Sequence, residues 1–143
     1  LHLVDGVVIW ATMKFPSGVW ITGENNSVYD SGVTRVSYAS EFIDRHPNQS
    51  IQASLAAIPS FRSMVTLRTY GDDNRFGVSV LCDWFDRCIM ARHARKLGQV
   101  VTPASKDGIL LPFDKPEDAS MLKRRFVRID GEEIATLAPL ELT

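Results

Sequence analysis

Along this chain the spacing of hydrophobic and polar positions changes period several times, and each change marks an element. Within the first sixteen residues Val7, Val8, Ile9 and Trp10 form a short apolar run between Gly6 and Pro16, which predicts a strand. A glycine-bearing loop follows at Ser17 and Gly18. From about Asn25 to Arg45 the apolar residues Tyr29, Val33, Val36 and Ile43 fall near helical spacing, and Pro47 stands just past the point where a helix must stop. The spacing predicts a helix, weakened by Gly32. Residues 46–62 mix polar and apolar positions around two prolines and predict a connection with one short helical turn.

The clearest alternation comes next. Val65, Leu67 and Thr69 share one face, Tyr70-Gly71-Asp72-Asp73 interrupts, and Phe76, Val78 and Val80 alternate again, the pattern of a β-hairpin with a short Gly/Asp turn. Asp83 to Leu97 then reads as a helix, with Trp84, Cys88 and Ala91 on one flank and Phe85, Ile89 and Arg92 beside them. Gly98 stands where a C-terminal cap belongs, and Arg92, His93, Arg95 and Lys96 put positive charge at the end the helix dipole prefers. Gln99 to Thr102 is expected to return to strand, and Pro103 to Pro116 to be loop. Leu122–Ile129 and Glu133–Leu137 flank Asp130-Gly131 and predict a second hairpin. Strand, helix, hairpin, helix, strand, hairpin is an α+β order, and the hairpins predict an antiparallel sheet with helices on one face.

Composition sets the scale. At 143 residues and 45% hydrophobic the chain is one globular domain or part of one, long enough to bury a core. Sixteen basic against seventeen acidic side chains leave a net charge of −1, so a nucleic-acid partner requires a local groove rather than bulk charge. The two cysteines, Cys82 and Cys88, match no zinc spacing and read as reduced thiols that act as small buried apolar side chains on a helix. Apolar runs such as Gly6 to Ala11 are too short to span a bilayer, and no signal peptide precedes them. A start at Leu1 predicts a cleaved product, a polyprotein segment or a partial sequence.

Four features offer chemistry. Adjacent carboxylates at a hairpin tip, Asp72 and Asp73, can converge on a divalent cation that itself holds a phosphate; taken alone, an acidic turn in water explains them as well. In Phe15-Pro16-Ser17-Gly18 with Thr22, Asn26 and Ser27, hydroxyl and amide groups are placed to read a ribose while Gly18 admits close backbone approach; ordinary capping of a helix N-terminus is the plainer account. Lys106 in Thr102-Pro103-Ala104-Ser105-Lys106 is a candidate proton donor or a solvated surface lysine. Leu122-Lys123-Arg124-Arg125, on a strand, offers basic side chains to a nucleic-acid backbone, or blunts a sheet edge. His2, His46 and His93 are scattered, with no carboxylate or cysteine at ligand spacing, and read as bystanders.

The order of the four features resembles the palm of RNA-dependent RNA polymerases from positive-strand, picorna-like RNA viruses. Phe15-Pro16-Ser17-Gly18-x-x-x-Thr22-x-x-x-Asn26-Ser27 looks like the family's second palm motif and Tyr70-Gly71-Asp72-Asp73-Asn74 like its third, the catalytic turn. Thr102-Pro103-Ala104-Ser105-Lys106 is similar to the fourth, and Met121-Leu122-Lys123-Arg124 to the fifth, in the primer-grip hairpin. The resemblance implies the palm subdomain of a right-hand polymerase, with a palm core over residues 1–110, and the primer-grip hairpin and start of the thumb over 111–143. Fingers, first palm motif and most of the thumb are expected elsewhere.

It further implies Asp72 as ligand of the catalytic Mg²⁺ (or Mn²⁺) ions, with Asp73 as a supporting ligand. Ser17, Gly18, Thr22 and Asn26 would form the nucleotide site, in which Asn26 reads the 2′-hydroxyl. Lys106 would be the acid that protonates pyrophosphate, and Lys123 and Arg124 would steady the primer or product. Implied partners are RNA template and primer, ribonucleoside triphosphates, the remainder of the polymerase and other viral replication proteins; the implied location is host cytoplasm at replication complexes. The family's first palm motif, Asp-x-x-x-x-Asp on a strand, has no counterpart before Ser17, where Asp5 lacks a partner at that spacing, so the segment alone is expected to be inactive. Two other readings stay open: a non-catalytic nucleic-acid- or protein-binding module derived from such a palm, and a metal-binding α+β domain of an unrelated enzyme.

Overall fold

The structure, a computed structural model, describes residues 2–4, 7–9, 22–103, 108–115, 120–122, 124–129 and 132–137. Its elements in chain order are β1 (His2–Val4), β2 (Val7–Ile9), α1 (Thr22–Arg45), α2 (Ile51–Ala57), α3 (Phe61–Met64), β3 (Val65–Tyr70), β4 (Asp73–Val78), a 3₁₀ turn (Val80–Cys82), α4 (Arg87–Lys96), β5 (Ser120–Met121), β6 (Arg124–Ile129) and β7 (Glu132–Leu137). The fold is mixed α+β, as the element order predicts. Among the described residues, however, its strands form three small antiparallel sheets, β1–β2, β3–β4 and β5–β6–β7, instead of one. Each strand pairs with its chain neighbour across a short connection, the cheapest closure available to it.

Helix α1 begins three residues earlier than the apolar spacing indicates, and its inner face differs from the predicted one. The buried positions are Asp30, Val33, Thr34, Ser37, Tyr38 and Glu41, a helical stripe composed mostly of polar residues. Tyr29 and Val36, expected inside, are half exposed. The polar stripe is tolerated because its members find partners: Thr34 donates to the Asp30 carbonyl at 2.8 Å, Gln99 Nε2 donates to Asp30 Oδ1 at 2.8 Å, and Glu41 is held by three cationic or imidazole groups described below. Ser37 Oγ alone is buried without a partner among the described residues.

The connection over 46–62 holds two short helices instead of one turn. Ser50 caps α2, its Oγ accepting from Ala53 N at 3.2 Å, and α3 leads directly into β3. The second long helix is shorter than predicted: Val80–Cys82 forms a 3₁₀ turn, and α4 begins only after Asp86, whose carboxylate accepts from Ile89 N at 2.8 Å. At its end Gly98 adopts φ +82°, with its N–H bonded to the Arg95 carbonyl and that of Gln99 to the Ala94 carbonyl, as the glycine predicts. Gln99–Thr102 is not a strand: it has no ladder partner among the described residues, and the Gln99 side chain bonds α1 instead. The described part of the Pro103–Pro116 stretch is irregular. Arg87 holds it on α4, bonding Asp114 in two-pronged fashion at 2.6 and 2.8 Å and the Leu111 carbonyl at 2.9 Å.

The core lies between α1, the inner face of β3–β4 and the segment from Cys82 to α4. Val33, Tyr38, Val65, Cys82, Phe85, Met90 and Ala94 are buried. Tyr38 sits at its centre, stacked on Trp84 with centroids 5.0 Å apart and edge-on to Phe61 and Phe85 at 5.3 Å, while its hydroxyl donates to the Pro59 carbonyl at 3.0 Å. Burial, with the neighbouring Cys82, pushes the Tyr38 hydroxyl up to about 12. Cys82 is buried as expected, though in the 3₁₀ turn; Cys88 lies on α4 and is half-buried. No described helix is long and apolar enough to cross a membrane.

Candidate functional site

The hairpin tip is the centre of the candidate site. Tyr70 pairs with Asp73, so Gly71 and Asp72 form a two-residue loop and Asp73 is the first residue of β4. Gly71 has φ +62°, and Asp72 is not in the positive-φ region, the sign pattern of a type II′ turn, which wants glycine at its first loop position. The turn thus places two successive carboxylates at the end of a hairpin whose other end is anchored by Val65, Phe76 and Val78 in the core. Asp72 is exposed and has no hydrogen-bond or ionic partner among the described residues. Asp73 is half-buried, and its Oδ2 accepts from Leu122 N at 2.6 Å, which ties the tip to the turn after β5. Leu122 adopts φ +54°, the only described non-glycine residue in that region.

A second tie comes from α1. Gly71 N donates to Ser27 Oγ at 2.8 Å, and the same hydroxyl donates back to the Gly23 carbonyl at 2.7 Å. Ser27 therefore links the first turns of α1 to the loop that carries Asp72. This bond brings together two of the motifs from positions 44 apart in sequence. Thr22 is the first residue of α1; Asn26 lies one turn further on, half-buried, its side chain without a hydrogen bond among the described residues.

Arg124 is the first residue of β6, exposed, and opposes Met121 on β5 and Leu137 on β7. The predicted strand does not start at Leu122: β5 ends at Met121, Leu122 lies in the turn, and the ladder resumes at Arg124. That short β5, unforeseen, makes the second hairpin a three-stranded sheet. Ser17, Gly18, Lys106 and Lys123 lie outside the described residues.

One cluster was not predicted, and it makes His93 a partner of Glu41 instead of a bystander. Glu41 of α1 meets His93 of α4 at 2.9 Å, Arg45 at 2.8 Å, and Arg92, while Asp44 lies 3.9 Å from His93 and 3.7 Å from Lys96. Burial works to raise the Glu41 carboxyl, but hydrogen bonds from His93 and Arg45, with the Arg92 charge and hydrogen bond, outweigh it and hold it below the usual range. Ligand atoms of Glu41, Asp44 and His93 lie within 4.8 Å of one another. Both Glu41 oxygens already accept from cationic or imidazole groups, and Arg45, Arg92 and Lys96 outnumber the two carboxylates. The cluster therefore suits an α1–α4 clamp and repels a cation. Helical spacing alone hinted at it: Glu41, Asp44 and Arg45 share one flank of α1, and Arg92, His93 and Lys96 one flank of α4.

The model of the viral RNA-dependent RNA polymerase family matches residues 1–137. The chain belongs to that family. Among its relatives, the RNA1 polyprotein of Cherry rasp leaf virus is 31% identical over 144 residues, covering 99% of this chain and 6% of the polyprotein. The replicase polyprotein of Drosophila C virus is 30% identical over 139 residues, covering 96% of this chain and 7% of its own length. The RNA1 polyprotein of Cowpea mosaic virus is 30% identical over 115 residues, 79% of this chain and 6% of the polyprotein. The chain thus spans a small fraction of the relatives it matches, and the resemblance to the picorna-like polymerases is borne out.

Proposed function

We propose that this chain is the central palm segment of a viral RNA-directed RNA polymerase, with residues 1–110 as palm core and 111–143 as primer-grip hairpin and start of the thumb. As part of the whole enzyme it serves template-directed nucleotidyl transfer in replication of a viral RNA genome, in host cytoplasm at replication complexes. The observation that carries the reading is the hairpin tip: two adjacent carboxylates, one of them exposed and unpaired among the described residues, held in place by α1 and by the β5–β6 turn.

The donor set fits Mg²⁺ (or Mn²⁺). Hard cations take carboxylate oxygens together with water and phosphate oxygens, and Asp72 leaves both of its oxygens available while Asp73 commits one to Leu122 N. Asp72 would hold the metal and Asp73 would support it. When bound, such ions would supply activation of the primer hydroxyl and stabilisation of the leaving pyrophosphate. The chain's own residues do the rest. Ser27 fixes the loop against α1, Asn26 with Ser17, Gly18 and Thr22 receives the nucleotide and reads its 2′-hydroxyl, Lys106 delivers a proton to pyrophosphate, and Lys123 and Arg124 steady the RNA backbone. Template, primer, ribonucleoside triphosphates and other viral replication proteins are the partners.

The test is Mg²⁺-dependent primer extension by the full polymerase that carries this segment, with Asp72→Asn beside it. Extension by the parent and its loss in the variant are expected. Undiminished extension by Asp72→Asn removes Asp72 from the chemistry, and RNA binding without any extension by the parent favours a non-catalytic binding module.

A further inference from the structure

The register of β3 on β4 sorts the hairpin onto two faces. Directly opposed residues share a face, so Val65 with Val78 and Leu67 with Phe76 look inward, while Thr66 with Gly77, Arg68 with Arg75 and Tyr70 with Asp73 fall on the other side. No aliphatic side chain lies on that second face, and Thr66, Arg68 and Tyr70 are exposed. Arg68 accordingly shares a face with Asp73 and stands two residue steps behind the turn, about 7 Å along the strand.

Around the outer edge of β3 runs an open groove of about 410 Å³ whose lining includes Arg35 of α1, Phe61 and Arg62 of α3, and Thr66 and Arg68 of β3. Three guanidinium groups from three elements meet there, and no described carboxylate lines it. Arg62 and Arg68 are exposed, and their side chains make no ion pair or hydrogen bond among the described residues. Arg35 lies over the Phe61 ring, 4.3 Å from its centroid, so part of the entropy of ordering its long side chain is already spent. In a chain of net charge −1 this is a local concentration of one sign.

We propose that this arginine groove binds the phosphate backbone of an RNA strand lying alongside the Asp72–Asp73 turn, an inference that rests on the polymerase reading above. Guanidinium forks match phosphate oxygens in pairs, and three positive groups gathered from three elements into one groove suit a polyanion with repeated charge. An acidic protein segment would match the charge, but the alignment of Arg68 with the face of Asp73 would serve it no purpose.

The experiment uses the full polymerase with a fluorescent primer–template RNA, measuring affinity as a function of salt. Replacing Arg62→Gln and Arg68→Gln together removes two phosphate contacts and is expected to weaken binding about tenfold or more near 0.1 M salt. The slope of log affinity on log salt should fall by about 1.5–2. Arg68→Lys keeps the charge and loses the fork, so it should keep the slope and lose part of the affinity. Arg95→Gln, an exposed arginine of α4 outside the groove, should leave both near the parent. Unchanged affinity and slope in the double variant overturn the proposal, as does an equal loss in Arg95→Gln, or binding of an acidic peptide to the groove with RNA affinity intact. Because RNA binding is read separately from extension, a parent that fails to extend sinks the polymerase reading while a reduced slope still supports the groove.

Discussion

Ser27→Ala isolates the bond that couples α1 to the loop bearing Asp72. The substitution deletes one oxygen that both accepts from Gly71 N at 2.8 Å and donates to the Gly23 carbonyl at 2.7 Å. A hydrogen bond of this kind contributes about 1 kcal/mol net, and leaving a buried partner unsatisfied costs about 1–3 kcal/mol. Gly71 is half-buried, so water replaces part of the lost bond, and about 1–2 kcal/mol is the expected loss of order at the loop. If the loop must occupy its tied position for chemistry, that loss appears in the barrier as a roughly 5–30-fold slower addition of a single nucleotide. Rapid-quench addition of one nucleotide by the full polymerase measures it, and hydrogen exchange over residues 67–73 reports the loop directly, expected to quicken by a similar factor. Ser27→Thr, which keeps the hydroxyl, should recover most of both. A Ser27→Ala enzyme that adds nucleotide at the parental rate, with faster exchange at the loop, would show that the tie orders the turn without mattering to catalysis. Unchanged exchange would refute the structural reasoning itself.

Four further outcomes are expected. Gly71→Ala has room for its methyl group but forces alanine to φ +62°, costing about 1–2 kcal/mol; it should slow nucleotide addition and quicken loop exchange. Glu41→Ala strands a nearly fully buried His93; because Arg45 and Arg92 are about half exposed, the expected cost is roughly 2–3 kcal/mol, read as faster exchange across α1 and α4, whereas Asp44→Ala should cost little. The Glu41 carboxyl lies lower folded than unfolded, so its stabilisation is complete above about 4.5 and is lost as pH falls through the folded value; exchange across α1 and α4 should rise on acidification in the parent and respond less in Glu41→Gln. Fourthly, burial raises the Cys82 thiol, so alkylation of the native protein should label Cys88 and spare Cys82 until unfolding.

The residue pattern alone specifies local structure. Alternation on both sides of Gly71-Asp72 specifies the β3–β4 hairpin, because side chains in a strand repeat every two residues and a two-residue loop demands glycine where φ is positive. Gly98 ends α4 for the same conformational reason, and the order of the motifs along the chain points to the polymerase family. Which face of α1 turns inward was not legible. Tyr29 and Val36 look like core by hydropathy, yet the buried stripe is Asp30, Thr34, Ser37 and Glu41 around Val33 and Tyr38, because Glu41 finds partners on α4, Asp30 one on the Gln99 segment, and Thr34 bonds the Asp30 carbonyl. The same dependence on distant partners hid the Glu41–His93 clamp, the Ser27–Gly71 bond and the arginine groove. Each joins residues far apart in sequence, and only the tertiary fold decides which side chains meet, since a polar group is stable in the interior only where another element arrives to complete it.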